Sequence, residues 1–255
     1  MTQTLTTAHR PPGRRIAIAS GKGGVGKTWL AITLAHALAR GGQRVLLFDG
    51  DLGLANVDTQ LGITPNADIA SVVGGAHTAE DAILSYRAGF DILPGRSGST
   101  ALAGLEGAAL GALNADLRRL AGRYDSVVMD LGAGVGSGVR GLAAAADLLL
   151  VVATDEPTSL TDAYAVLKLD CRARPPGHGD AAIVVNHAAS KTEGQRTYHA
   201  LARACATFLG RTPHCAGIVR RDVHVKDAIR RQTPLLERHP SCAAAADVEA
   251  LARAL

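Results

Sequence analysis

No apolar run in the 255-residue chain approaches the about 18 residues needed to cross a bilayer. The opening segment MTQTLTTAHRPPGRR also has no apolar core of the kind a secretory signal carries, so a cytoplasmic protein is expected. Cysteine is sparse. The four cysteines, at positions 171, 205, 215 and 242, form no C-x-x-C pair and have no histidine at zinc-finger spacing. Neither a disulfide framework nor a metal site is predicted from that spacing. An excess of charge of one sign is missing too: a net charge of +4 leans toward anionic partners without specifying nucleic acid. There is no internal repeat, and the Ala-rich stretches read as ordinary helix-forming composition.

What is present describes one domain. A polar, Pro-containing leader over 1–14 is expected to precede a single domain over 15–255, whose 47% hydrophobic content suffices for one sizeable core. Short apolar runs recur as RIAIAS, RVLLFDG, FDILPG, SVVMDLG, DLLLVVAT, AAIVVNH and CAGIV, each followed by glycine or polar residues and a helix-like stretch. Strands without polar alternation are buried on both faces, and a β-then-α order places helices over them. The predicted fold is α/β, a doubly wound, mostly parallel β-sheet with helices on both faces. Helices are expected over Trp29–Arg40, Leu105–Arg123 and Pro157–Leu169, the last opening on proline and cap-forming residues.

The stretch IAIASGKGGVGKTWL carries the chemistry. Between a strand and a helix, Gly21 to Thr28 satisfies G-x-x-x-x-G-K-[ST], the phosphate-binding loop. In such a loop the backbone of Gly21, Gly23, Gly24, Val25 and Gly26 bends around a polyphosphate, and the following helix offers its positive end. Lys27 would reach the β and γ phosphates of ATP, and the Thr28 hydroxyl would serve Mg2+. Trp29 either covers the nucleotide or packs on a neighbouring helix. In FDGDLGLANVD, Asp49 and Asp51 end a buried strand at the carboxyl edge where ligands bind. One carboxylate can help hold hydrated Mg2+ while the other orients the attacking water. In SVVMDLGAGVGSGV, Asp130 ends another apolar strand as a third metal-binding candidate, and Gly132 and Gly134 let the backbone approach a γ-phosphate. Asn186, ending VVNH, offers both a donor and an acceptor to a base. Five cations, Arg220, Arg221, Lys226, Arg230 and Arg231, crowd the stretch over 220–231 against only Asp222 and Asp227. They describe either a solvated face or a patch for nonspecific DNA or an acidic protein; without interleaved aromatics, stacking on single strands is not expected.

Lys22 is more than a phosphate loop requires. KGGVGKT resembles the deviant Walker A motif of the MinD/ParA ATPases, and the resemblance covers about Arg15 to Leu255. It implies a P-loop ATPase that forms a homodimer on binding ATP, with Lys22 reaching the partner's phosphates in trans. Lys22, Lys27 and Asp51 are then the catalytic residues, with Asp51 positioning water. DLGAG is similar to the family's second switch, and Asn186 to its adenine-reading asparagine, while Arg220 stands where the family has a proline. DGDLGLANVDTQLGI, EPTSLTDAYAVLK and SKTEGQRTYHALARACATFLG look most like the FlhG (FleN) branch. That branch implies control of flagellar number or placement, an FlhF-like GTPase or flagellar switch proteins as partners, and a location at the inner membrane or cell pole. A ParA-like ATPase carrying cargo on DNA and a MinD-like division-site regulator are the alternatives. Iron–sulfur carriers of similar build need cysteines beside their switch loops, which this chain does not have. The tail VEALARAL is not the basic, bulky helix that attaches MinD-like proteins to membranes, and Val248, Leu251 and Leu255 are expected to pack on the body.

Overall fold

The computed structural model describes residues 13–98, 102, 104–174 and 179–255. One sheet runs through them. Its strands are β1 (Arg14–Ser20), β2 (Val45–Gly50), β3 (Leu84–Tyr86), β4 (Phe90–Leu93), β5 (Ser126–Ala133), β6 (Leu148–Ala153), β7 (Asp180–Ala188) and β8 (His214–Arg220). The spatial order is β3-β4-β2-β5-β1-β6-β7-β8, and every pair is parallel except β3 with β4. The sequence predicts β4 but not its three-residue antiparallel neighbour, which is too short to show a period. The described helices are α1 (Lys27–Arg40), α2 (Val57–Leu61), α3 (Ile69–Val73), α4 (Gly107–Ala121), α5 (Ser137–Ala144), α6 (Pro157–Ala173), α7 (Lys191–Leu209), α8 (Val223–Arg230), α9 (Leu235–Arg238) and α10 (Ala243–Ala254).

Apolar side chains leave both faces of the sheet. Leu46, Phe48, Val127, Met129, Leu149 and Val151 meet Leu113, Leu117, Leu142, Leu167 and Leu201 on one side. Leu47, Val128, Leu150 and the β1 residues Ile16 and Ile18 meet Leu30, Leu34, Leu38, Val248 and Leu251 on the other. Strands covered twice cannot alternate apolar with polar, which is why the sequence shows continuous runs. Val248 and Leu251 are buried against the body, as the tail's spacing predicts. Among the described residues no helix is long and apolar enough to cross a membrane.

Residues 1–12 lie outside the described residues, but the Gly13 N–H donates to Ala121 O at 2.7 Å and Arg14 already belongs to β1. The sheet brings the carboxyl ends of β1, β2 and β5 side by side, since β5 lies between the other two. All the phosphate-directed candidates follow or end these three strands.

Candidate nucleotide-binding site

The phosphate loop is the turn of residues 21–26 between β1 and α1. Gly26 holds φ at 90°, a left-handed conformation, and a Cβ on it would come within 2.5 Å of the Asn186 side-chain nitrogen. As the N-cap of α1 it provides no side-chain acceptor, so the first-turn N–H groups of the helix remain available to an anion. At Gly21 the constraint is space, since a Cβ there would sit 2.3 Å from the backbone oxygen of Asp162 on α6. Val25 is buried beneath the loop, whereas Gly23 and Gly24 are exposed on it. Lys27 is 8% exposed, and its ammonium donates to Ser20 Oγ at 2.9 Å. The Ser20 hydroxyl in turn donates to the Lys22 carbonyl at 2.7 Å. Burial lowers the Lys27 pKa, opposed by the negative charges of Asp130 and Asp51. A neutral hydroxyl is a weak partner for a buried cation, which leaves this ammonium suited to receive phosphate oxygens.

Asp49 and Asp130 face each other across the β2–β5 pairing. Their surroundings differ. Asp49 Oδ2 accepts backbone N–H bonds from Asn56 at 3.1 Å and Val57 at 3.0 Å, so its carboxylate organises the loop that enters α2. Burial still raises its pKa to about 7 against those bonds. Asp130 is 1% exposed, and neither carboxylate oxygen has a hydrogen-bond partner. Burial, then the Asp49 charge, push its pKa up to about 8, while Thr28 and Lys27 beside it act in the opposite sense. A fully buried carboxyl with both oxygens unpaired, next to a hydroxyl, is a donor set that fits Mg2+. Asp130 and Thr28 thus fit the ion better than Asp49, whose oxygens are already engaged. Asp51 is half-buried; its Oδ1 accepts from the Leu54 N–H at 3.1 Å and lies against Gly132 of the second switch. Gly134 follows with φ 91°, and its N–H donates to Ser20 O at 2.8 Å, which ties that switch to the phosphate loop.

Lys22 turns away from this centre. Its ammonium, half-exposed at the rim, pairs with Glu156 and with Thr158 Oγ1 at 3.2 Å, at the start of α6. A cleft of about 270 Å³ lies on the other side of the loop, lined by Trp29, Asn186, His187, Arg221 and Lys226 among others. Trp29 does both things the sequence left open: it is buried among the core residues around α1, and it forms a wall of the cleft. Its indole N–H is buried without a partner. Asn186 is placed differently from the sequence expectation. Its Nδ2 donates to Val25 O at 2.8 Å and its Oδ1 accepts from His187 N–H at 2.9 Å, so the amide braces the phosphate loop and only one side-chain N–H is uncommitted. His187 next to it holds φ at 57°, uncommon for a residue with a side chain.

Three of the five cations, Arg220, Arg221 and Lys226, line the same cleft. Arg220 turns inward onto buried Asp247, with its Nε and one terminal nitrogen each 2.9 Å from a carboxylate oxygen. Arg231 lies 3.9 Å from Asp227. Arg221, Lys226 and Arg230 have no ion pair among the described residues, and the first two line the cleft. Sequence reasoning missed Ser20, Glu156, Thr158 and Asp247. Each acts on a residue it did single out. Only Ser20, at the end of β1, was near enough in sequence to be found.

Comparison with known proteins fits this geometry. Residues 16–235 match the profile of the CobQ/CobB/MinD/ParA nucleotide binding domain. The chain is 36% identical over 242 residues to the antiactivator FleN of Pseudomonas aeruginosa, covering 95% of this chain and 86% of that protein. It is 33% identical over 186 residues to the flagellum site-determining protein YlxH of Helicobacter pylori, covering 73% of this chain and 62% of that one. In fold it is similar to the septum site-determining protein MinD of Pyrococcus horikoshii, solved with Mg-ADP. That match has a TM-score of 0.79 at 24% identity and covers 94% of each chain.

Proposed function

The chain belongs to the CobQ/CobB/MinD/ParA family of nucleotide-binding domains and is an ATPase that uses Mg2+ with ATP; from that premise we propose that ATP closes it into a homodimer, that hydrolysis reopens it, and that this cycle sets the number or position of flagella. The observation that carries the reading is the separation of the two loop lysines. Lys27 is buried over its own phosphate cradle, while Lys22 stands at the rim against exposed groups, free to be drawn toward a second subunit.

In this reading the α1 amides and Lys27 hold the β and γ phosphates. Thr28 and Asp130 would hold Mg2+, which would supply positive charge against the phosphates. Asp51 orients the attacking water and returns to the Gly132 backbone as the second switch relaxes. Lys22 of each subunit leaves Glu156 for the partner's γ-phosphate, adding positive charge where negative charge develops. Trp29, His187 and the remaining Asn186 N–H form the cleft that takes the base.

Similarity to a protein named for antiactivation and to one named for flagellar siting favours the flagellar task over chromosome or plasmid movement. The proposed partners are an FlhF-like GTPase and flagellar switch proteins, and the proposed place of action is the inner membrane or cell pole. The test is to supply this chain to a flagellated bacterium that lacks its FleN-type protein and to count flagella by electron microscopy. Restoration by the chain but not by Lys22→Ala, at equal cellular levels, is expected. An unchanged count with the intact chain would remove the flagellar assignment; equal restoration by Lys22→Ala would remove the action in trans.

A further inference from the structure

Away from the phosphate loop, three side chains of unlike metal-binding chemistry meet where β8 passes into α8 and approaches the start of α10. Asp222 is the N-cap of α8 and Cys242 the N-cap of α10. Asp222 Oδ1 accepts from the His224 backbone N–H at 3.0 Å and lies 2.7 Å from His224 Nδ1. Its other oxygen accepts from Ala244 N–H at 3.2 Å, in the first turn of α10. The Cys242 Sγ lies within 4.8 Å of a carboxylate oxygen of Asp222. One ligand atom from each of Asp222, His224 and Cys242 lies within 4.8 Å of the other two. The ring of His239, whose Nε2 is 2.8 Å from Asp227, packs against His224 at a 51° tilt with centroids 4.4 Å apart.

Helix capping explains the carboxylate and nothing more. Asp222 caps both helices through backbone N–H groups, and that task requires neither an imidazole nor a thiol beside it. What the carboxylate gathers is one imidazole, which binds a metal through a ring-nitrogen lone pair, and one S–H, which exchanges its proton for a metal. In a tetrahedral zinc site, with bonds of about 2.0 Å to nitrogen or oxygen and about 2.3 Å to sulfur, ligand atoms stand about 3.3–3.7 Å apart. Rotation of exposed His224 and half-buried Cys242 by about an ångström reaches that spacing. Sulfur with imidazole selects zinc-like ions over Mg2+ or Ca2+, so this donor set is distinct from the all-oxygen set at Thr28 and Asp130.

We propose that Asp222, His224 and Cys242 bind one divalent transition-metal ion of the zinc class, with the fourth position taken by water or by His239. The Sγ–metal bond forms as the Cys242 thiol proton leaves to solvent; no electron is transferred. The ion ties the start of α8 to the start of α10, and because Asp222 also lines the cleft with Arg221 and Lys226, it fixes one wall of that cleft. The inference does not rest on the flagellar reading.

The test is titration of the tag-free, chelator-stripped chain with Co2+ under nitrogen, followed by absorbance. Saturation at one Co2+ per chain is expected, with a thiolate-to-cobalt band in the near ultraviolet and visible bands of a four-coordinate ion, both removed by equimolar Zn2+. Cys242→Ala and His224→Ala should each weaken Co2+ binding by more than about a hundredfold, whereas Cys171→Ala and Cys215→Ala leave it intact. His224 is exposed and touches no core, so its variant keeps the fold, which circular dichroism verifies. A spectrum with no saturable thiolate band, or a band that survives Cys242→Ala, overturns the site.

Discussion

Two ends of the molecule treat buried charge in opposite ways. At the phosphate end, Asp130 is buried with both oxygens unpaired and its pKa is pushed up to about 8, and Lys27 beside it hydrogen-bonds only a serine hydroxyl. Under α10, Asp247 is equally buried but is met by Arg220 and by Lys191 at 2.7 Å. Burial pushes the Asp247 pKa up, yet these cations hold it below its ordinary value. The second network is complete within the chain. The first is not, and the difference marks which charges belong to the fold and which await a ligand.

Substitutions that break the unfinished end should abolish turnover and spare the fold. Lys27→Ala removes the one buried cation facing the phosphates, and a fall in ATP hydrolysis of roughly a hundred- to a thousandfold is expected in a phosphate-release assay. Asp51→Ala comes next. It should lower turnover by about a hundredfold or more while nucleotide affinity, measured by fluorescent ATP analogue binding, stays within a few-fold of wild type.

At the finished end the effect moves from catalysis to stability. Asp247→Ala leaves Arg220 and Lys191 without their partner; because both cations reach the surface, the cost in urea unfolding should be roughly 1–3 kcal/mol. Asp247 also carries a pH signature. A carboxylate whose folded pKa is depressed contributes stability above the ordinary carboxylate range and loses it as pH falls through the lowered value. The stability gap between wild type and Asp247→Asn should therefore narrow below about pH 4. The smallest expected effect joins the two ends: Glu156→Gln releases Lys22, and the ATP-bound dimer should gain about two- to fivefold in association, the size of an exposed ion pair. Weaker association in that variant would mean Glu156 also serves the dimer.

The phosphate end was legible in the sequence because its parts are local. Gly21 to Gly26 form one turn leading into α1, Asp49 and Asp51 lie at the end of β2, and Asp130 lies within β5 three residues before its end, so residue type and position agree. What was read less well, at both places, is contacts between residues distant in the chain. Asn186 lines the cleft as a base-reading residue would, but its bond to Val25 O, 161 residues away, was not legible. Glu156 was not singled out in the sequence, because the Lys22 it pairs with lies 134 residues earlier. The cations over 220–231 left a solvated face and a patch both open, because Asp247, which pairs with Arg220, lies far along the chain on α10. The likeness of Asp49 to a metal ligand rested on residue type; the loop amides that occupy it are set by backbone geometry, which composition does not reveal.

The central claim is that the phosphate end is completed by ATP and by a second copy of the chain. Sedimentation of Asp51→Ala in Mg-ATP and in Mg-ADP tests it most directly, since that variant holds ATP without turning it over. A dimer in ATP that is a monomer in ADP, and that dissociates when Lys22→Ala is added, is the predicted result. The same mass in both nucleotides would contradict it.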